Sequence, residues 1–101
     1  TMMIRNIPNR YTQRELTREL ESLGLGGTFD FLYVPLDKDT MCNVGYAIVN
    51  FIDRSHAARC MRLFDNYAFA KHRKGRGKIA TVSIAHIQGL EANTRHDENA
   101  A

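Results

Sequence analysis

The sequence predicts one α+β domain in which two helices cover one face of a four-stranded antiparallel sheet. Its 101 residues suffice for a single domain with a two-layer core, and the 44% of apolar residues exclude wholesale disorder. Along the chain, strand-like and helix-like apolar patterns follow one another in the order β-α-β-β-α-β. This order has its own sequence signature among the supersecondary motifs.

The first strand and the first helix have clear boundaries. Residues 2–7 are mostly aliphatic and end at a proline, which predicts a short strand. Residues 12–23 predict a helix, because leucines recur on one face and Thr12 and Glu15 have the spacing of a capping box. Gly24 stands where a left-handed helix cap is expected.

The second and third strands follow directly. Residues 29–36 are rich in aromatic and aliphatic side chains, and the polar residues 37–40 predict an exposed turn after them. Residues 44–51 contain no charged side chain. We therefore expect this third strand to lie in the centre of the sheet and to be well buried.

A second helix and a fourth strand complete the pattern. Asp53 or Ser55 can cap the helix, which we expect to end at Asp65. Residues 79–85 alternate between apolar and polar side chains, as a strand does. Residues 87–101 are more polar and predict a short helix or a frayed tail.

Together these elements predict a ferredoxin-like domain over residues 1–86 with a C-terminal extension over residues 87–101. Both helices must bury their apolar sides on the same face of the sheet, which leaves the other face open. An open sheet face is unusual unless something binds there. The side chains on that face are therefore the first candidates for function.

Charge is concentrated in one segment before the fourth strand. The chain has 14 basic and 11 acidic residues, for a net charge of +3. Five of the basic residues lie within eight positions that hold no acid: Lys71, Arg73, Lys74, Arg76 and Lys78. This basic segment favours a polyanion partner, although a solvated surface loop would have the same composition.

Several function classes have little support. No apolar run is long enough to cross a bilayer, the opening residues are too few for a signal peptide, and two cysteines make no disulfide framework. We expect an intracellular protein. The histidines and cysteines lack the spacing of a zinc site, and the glycines at 75 and 77 lack the strand–helix context of a phosphate-binding loop. We therefore expect neither an enzyme nor a cofactor.

Two strand segments carry a family resemblance. Residues 44–51, Val-Gly-Tyr-Ala-Ile-Val-Asn-Phe, fit the octamer of the RNA recognition motif at six of eight places. Residues 2–7 fit the last four places of the hexamer that this family carries on its first strand. The chain resembles an RNA recognition motif over residues 2–86. That resemblance implies a module that binds single-stranded RNA on the open face of its sheet.

A closer resemblance is to the C-terminal RNA recognition motif of the mei-two-like proteins. Four segments carry it, including an Ile-Gln-Gly run past the fourth strand: residues 4–12, 29–35, 42–47 and 87–89. Those proteins regulate meiosis in fission yeast and development in plants. The resemblance implies a nuclear or cytoplasmic RNA-binding module of a larger post-transcriptional regulator, with a C-terminal helix that belongs to the domain.

Alternation along the strands predicts which side chains face the RNA. On the first and third strands, Ile4, Ala47, Val49 and Phe51 should face the helices. On the second strand, Tyr33 should face outward and Phe31 should lie near a bulge. On the fourth, Val82 and Ile84 should point inward. The predicted RNA contacts are the outward residues and the basic segment: Met3, Arg5, Tyr33, Tyr46, Ile48, Asn50, Lys71, Arg73, Lys74, Arg76 and Lys78.

The sequence departs from the family at two stacking places. Aromatic rings usually stand where this chain has Met3, Tyr46 and Ile48, so only Tyr46 keeps a ring there. The alternative is a module that kept the fold, lost most base stacking, and binds a protein or a second copy of itself. The patch of Met3, Ile48 and Tyr33 could also seat a helix over residues 87–98. A small hydrolase on the same fold order is disfavoured, because its glycine-rich loop is missing.

The sequence suggests a simple role for three arginines near the first helix. Arg10, Arg14 and Arg18 alternate with Glu15 and Glu19. We expect them only to keep the helix surface soluble.

Overall fold

The structure is a computed structural model that describes residues 1–71 and 79–100, without the side chains of 97–100. Within these residues the strands are β1 (Met2–Arg5), β2 (Phe29–Tyr33), β3 (Tyr46–Phe51) and β4 (Thr81–Ile84). The helices are α1 (Gln13–Leu20), α2 (Arg54–Phe64) and α3 (Leu90–Ala100). The strands form one antiparallel sheet in the order β2-β3-β1-β4, and α3 follows them, which confirms the predicted fold and its C-terminal helix.

A side-chain cap lies at the start of both α1 and α2. Thr12 Oγ1 accepts from the Glu15 amide and Glu15 Oε1 accepts from the Thr12 amide, each over 3.0 Å, so the predicted capping box is present. Asp53 caps α2 by accepting from the Ser55 amide over 3.2 Å. After α1 the chain continues as a wider π-type turn, and Gly24 takes φ +87°, as a left-handed glycine should.

The register matches the predicted alternation. Ile4 lies opposite Ala47, and Met3 lies opposite Ile48. One set of side chains is buried against the helices: Met2, Ile4, Ala47, Val49 and Phe51. The pairing of β2 with β3 shifts between Phe29 and Phe31, so the predicted bulge is confirmed.

Ile84 corrects the expectation for β4. Its backbone lies opposite the buried Met2, yet its side chain is 72% exposed. Val82, two residues earlier, does pack against the core. The reason is that β4 is an edge strand and Ile84 is its last residue, so the side chain extends past the area that the helices cover.

A buried asparagine joins the loops at the end of the sheet where β1 and β2 finish. Asn43 Nδ2 donates to the carbonyl oxygens of Pro8 and Tyr11 over 2.8 and 2.9 Å. Its Oδ1 accepts from the Gly45 amide over 2.8 Å. The Asn43 side chain therefore holds the β1–α1 loop against the start of β3.

A buried carboxylate joins α1 to the chain that enters the basic segment. The Glu19 carboxylate accepts from the Tyr11 and Tyr67 hydroxyls and from the Ala70 amide. Burial, followed by the bond to Glu19, raises the pKa of both tyrosines well above 10. The Lys71 amide donates to the Tyr11 hydroxyl over 2.8 Å, so this network fixes the backbone where the basic segment begins.

Candidate nucleic-acid interface

The open face of the sheet gathers four of the predicted contact residues. Ile48 of β3 lies between Met3 on β1 and Tyr33 on β2, its two cross-strand partners. Tyr46 lies two residues before Ile48 and therefore on the same face. All four side chains are partly exposed. They form a platform of two tyrosine rings and two aliphatic side chains.

The C-terminal segment turns this platform into a pocket. A cavity of about 430 Å³ lies between the open face and the chain that follows β4. We call it the sheet pocket. One wall consists of Met3, Tyr33, Tyr46 and Ile48, and the other of His86, Ile87, Asn93 and His96. The platform is therefore neither flat nor fully open, because α3 lies across one side of it.

Thr1 attaches the C-terminal segment to the sheet. Its hydroxyl accepts from the Gly89 amide over 2.9 Å and from Asn93 Nδ2 over 3.2 Å. Asn93 is buried, and its Nδ2 also lies 2.7 Å from the Gly89 carbonyl oxygen. Gln88 Nε2 donates to the Thr1 carbonyl oxygen over 2.9 Å. Thr1 and the segment from Gln88 to Asn93 are thus held together beside the pocket.

Asn50 is on the open face but is engaged inside the protein. Its side-chain Oδ1 accepts from the Thr1 hydroxyl over 2.7 Å, and its Nδ2 donates to Asp30 Oδ1 over 2.8 Å. Only 8% of the residue is exposed. In this arrangement Asn50 supports the pocket and does not line it.

The predicted charged contacts divide into three groups. Arg5 is exposed and lies directly opposite Tyr46, at the rim of the platform. Lys71 lies away from it, with Nζ 3.9 Å from Glu15 Oε2 on α1. The remaining basic residues lie outside the described residues: Arg73, Lys74, Arg76 and Lys78.

Sequence reasoning missed one wall of the sheet pocket. His86, Ile87, Asn93 and His96 belong to it, yet none falls within the octamer or hexamer. The Ile-Gln-Gly run was the available signal, since Gln88 and Gly89 both bond to Thr1. The alternative that Met3, Ile48 and Tyr33 seat this helix named the right face, but not the residues of the helix that would line it.

Two chemical features of the described residues concern metal binding and thiol reactivity. Its His, Cys, Asp and Glu side chains form no group of three suited to holding a metal ion. Burial raises the pKa of the Cys60 thiol to about 12, which leaves that thiol protonated and unreactive at neutral pH. In the parts of the chain that the structure covers, no helix has the length and apolar character needed to cross a bilayer.

Solved structures place the fold among RNA recognition motifs. The structure of the Rna15 motif with bound GU RNA is similar with a TM-score of 0.69 and 16% identity, over 97% of this chain and 95% of that one. A sex-lethal protein–RNA complex is similar with a TM-score of 0.66 and 23% identity, over 87% of this chain and 47% of that one. At these identities the likeness establishes the fold, which is that of an RNA recognition motif.

The sequence comparison defines the family more narrowly. Residues 1–97 match the family described as RNA recognition motif 2, and the chain belongs to that family, whose domains are non-catalytic. The whole chain is 38% identical to a segment of protein MEI2-like 1 of Arabidopsis thaliana and 37% identical to a segment of protein MEI2-like 2 of Oryza sativa subsp. japonica. It spans 11% and 12% of those two relatives. The resemblance seen in the sequence is confirmed.

Proposed function

We propose that the domain binds short single-stranded RNA in the sheet pocket. The observation that carries the proposal is the joint placement of Tyr46, Tyr33, Met3 and Ile48 on one wall of a pocket of about 430 Å³. A base stacked on Tyr46 would contribute about 1–3 kcal/mol. Met3 and Ile48 would add dispersion contacts without the ring quadrupole, and Tyr33 would supply the second ring.

Basic side chains would hold the RNA backbone. Arg5 is exposed beside Tyr46 and can pair with a phosphate or stack its guanidinium on a base. Lys71 and the rest of the basic segment would add phosphate contacts that depend on salt and not on sequence. Asn50 would contact RNA only after exchanging its bonds to Thr1 and Asp30.

The biological setting is proposed from the relatives. Because the chain spans about a tenth of the MEI2-like proteins it matches, we take it to be one module of a larger regulator of RNA, acting in the nucleus or the cytoplasm. Its partner would be single-stranded RNA. A protein partner or a second copy of the domain on the same sheet face is the competing possibility. The experiment below separates RNA binding from self-association.

An NMR titration with mixed-sequence single-stranded RNA tests the proposal. We expect the amide signals of Met3, Tyr33, Tyr46 and Ile48 to shift in a saturable way. Signals of Ala58 and Arg62, which are exposed on α2, should remain in place and serve as internal controls. A duplex of the same sequence should not produce the sheet shifts, because its bases are already stacked.

Two results would contradict this proposal. The first is a titration in which only residues near Lys71 shift, which would indicate phosphate binding without the sheet pocket. The second is RNA-independent, concentration-dependent shifting of the platform signals, which would indicate self-association through the sheet face.

A further inference from the structure

The sheet pocket adjoins another cavity at the β2 edge of the domain. A second, larger cavity of about 740 Å³ lies between the β1–α1 loop and the β2–β3 loop. We call it the edge groove. Tyr33 and Leu36 line both cavities. The two cavities are therefore neighbours, with Tyr33 and Leu36 at their common border.

The edge groove leads onto the outer surface of α1. Arg10 lines the groove, and so does Gln13, the first residue of α1. Gln13 also borders a shallow depression of about 550 Å³ that is lined by Arg14 and Arg18. Arg14 and Arg18 are four residues apart, so their Cβ atoms lie about 5–6 Å from each other on one helix face. Three arginines thus follow the path from the groove along α1.

The two glutamates that alternate with these arginines in the sequence do not pair with them. Glu19 is buried and is engaged by Tyr11 and Tyr67. Glu15 closes the capping box and lies beside Lys71. Among the described residues, none of the three arginines forms a salt bridge within 4.0 Å.

Two acids reduce the positive charge of this surface without removing it. Glu21 borders the same depression as Arg14 and Arg18. Glu15 lines the edge groove together with Arg10. The residues that line the groove and the depression therefore carry three arginines against two glutamates, an excess of one positive charge.

We propose that RNA leaving the sheet pocket past Tyr33 passes through the edge groove and binds α1 through Arg10, Arg14 and Arg18. The inference rests on the proposed function of the sheet pocket and extends it to longer strands. The groove borders the pocket at Tyr33 and Leu36, and the three arginines form no ion pair with another described residue. Both facts favour the backbone of the same RNA over an acidic protein segment as the occupant. Binding would then depend on RNA length as well as on the bases in the pocket.

The test compares two lengths of single-stranded RNA on the same protein. Probes of about 4 and about 12 nucleotides lie within the range of single-strand site sizes. The variant Arg14→Gln/Arg18→Gln should bind the short probe as the parent does and the long probe more weakly. The slope of log affinity against log salt for the long probe should fall by about 1.4, since each single-strand phosphate contact contributes about 0.7. Between 50 and 200 mM salt, the affinity of the variant for the long probe should therefore fall about sevenfold less than that of the parent.

A matched variant removes the same charge elsewhere. Arg54→Gln/Arg62→Gln alters two exposed arginines of α2, away from the groove, and should reduce the slope for neither probe. Equal slope changes in the two double variants would overturn the inference and indicate a general charge effect. Equal affinity of the parent for both probes would also overturn it, while leaving the sheet pocket intact.

Failure of the proposed function would appear differently. If the short probe does not bind the parent at all, the sheet pocket itself is wrong, and the inference falls with it. If the signals of Arg14 and Arg18 shift with a poly-glutamate peptide but not with the long RNA, the α1 surface is a protein interface and the inference is overturned.

Discussion

The Thr1 hydroxyl donates a hydrogen bond to Asn50 Oδ1 over 2.7 Å. The same hydroxyl accepts from Asn93 of α3 over 3.2 Å, so one oxygen atom links β3 to the C-terminal helix. Because α3 forms one wall of the sheet pocket, the shape of that pocket depends on this small polar junction as well as on apolar packing.

Replacing Asn93 should loosen α3 without unfolding the domain. Asn93→Ala removes the bonds from Nδ2 to Thr1 Oγ1 and to the carbonyl oxygens of Ile87 and Gly89. A loss of about 1–2 kcal/mol would speed hydrogen exchange of the α3 amides about tenfold, while the midpoint of urea unfolding changes little. Thr94→Ala on the exposed side of the same helix is the control. Unchanged exchange in Asn93→Ala would show that α3 is held by other contacts.

Replacing Tyr46 should weaken RNA binding through the loss of base stacking. Tyr46→Ala should reduce the binding free energy by about 1–3 kcal/mol in a fluorescence titration at fixed salt. Tyr46→Phe keeps the ring and should bind nearly as the parent does. A Tyr46→Ala variant with the parent's affinity would rule out the platform as the base-binding surface.

Asn43 should matter for stability and not for ligand contact. Asn43→Ala removes the side-chain partner of the Tyr11 carbonyl and of the Gly45 amide, and one of the two donors to the Pro8 carbonyl, which keeps the Tyr11 amide. We expect urea unfolding to show a loss of about 2–4 kcal/mol, because buried groups without partners cost about 1–3 kcal/mol each and part of that cost relaxes. The neighbouring exposed Asn9→Ala should stay within about 0.5 kcal/mol of the parent. A small loss for Asn43→Ala would mean that water replaces the missing amide.

The tyrosines on Glu19 predict a loss of stability at alkaline pH. Their pKa is raised in the folded state, so below pH 10 both states keep the phenol protons and stability does not depend on them. Above pH 10 the unfolded chain releases these protons first, and the free energy of unfolding falls by at most about 1.4 kcal/mol per pH unit for each tyrosine. In urea unfolding at several pH values, Tyr67→Phe should show a shallower decline than the parent. Identical slopes would exclude Tyr67 from this linkage.

The sequence predicted the order of the elements, the capping box, the bulge and the alternation on β1 and β3, because each depends on local patterns. It did not predict the exposure of Ile84, which depends on how far the helix layer extends over the edge strand. The engagement of Asn50 was also out of reach. Its partners Thr1 and Asp30 are 49 and 20 residues away in sequence, and local patterns do not predict contacts at that separation.

The loop junction at Asn43 contains residues that carry the family resemblance but have a structural task. Asn43, Pro8 and Tyr11 are among the residues by which the chain resembles its relatives, and all three are occupied in holding loops together. Tyr46 and Ile48 of the platform lie in the strand beyond them. A residue can therefore carry the family likeness and yet be fully engaged in joining loops, so the likeness alone does not mark which residues contact RNA.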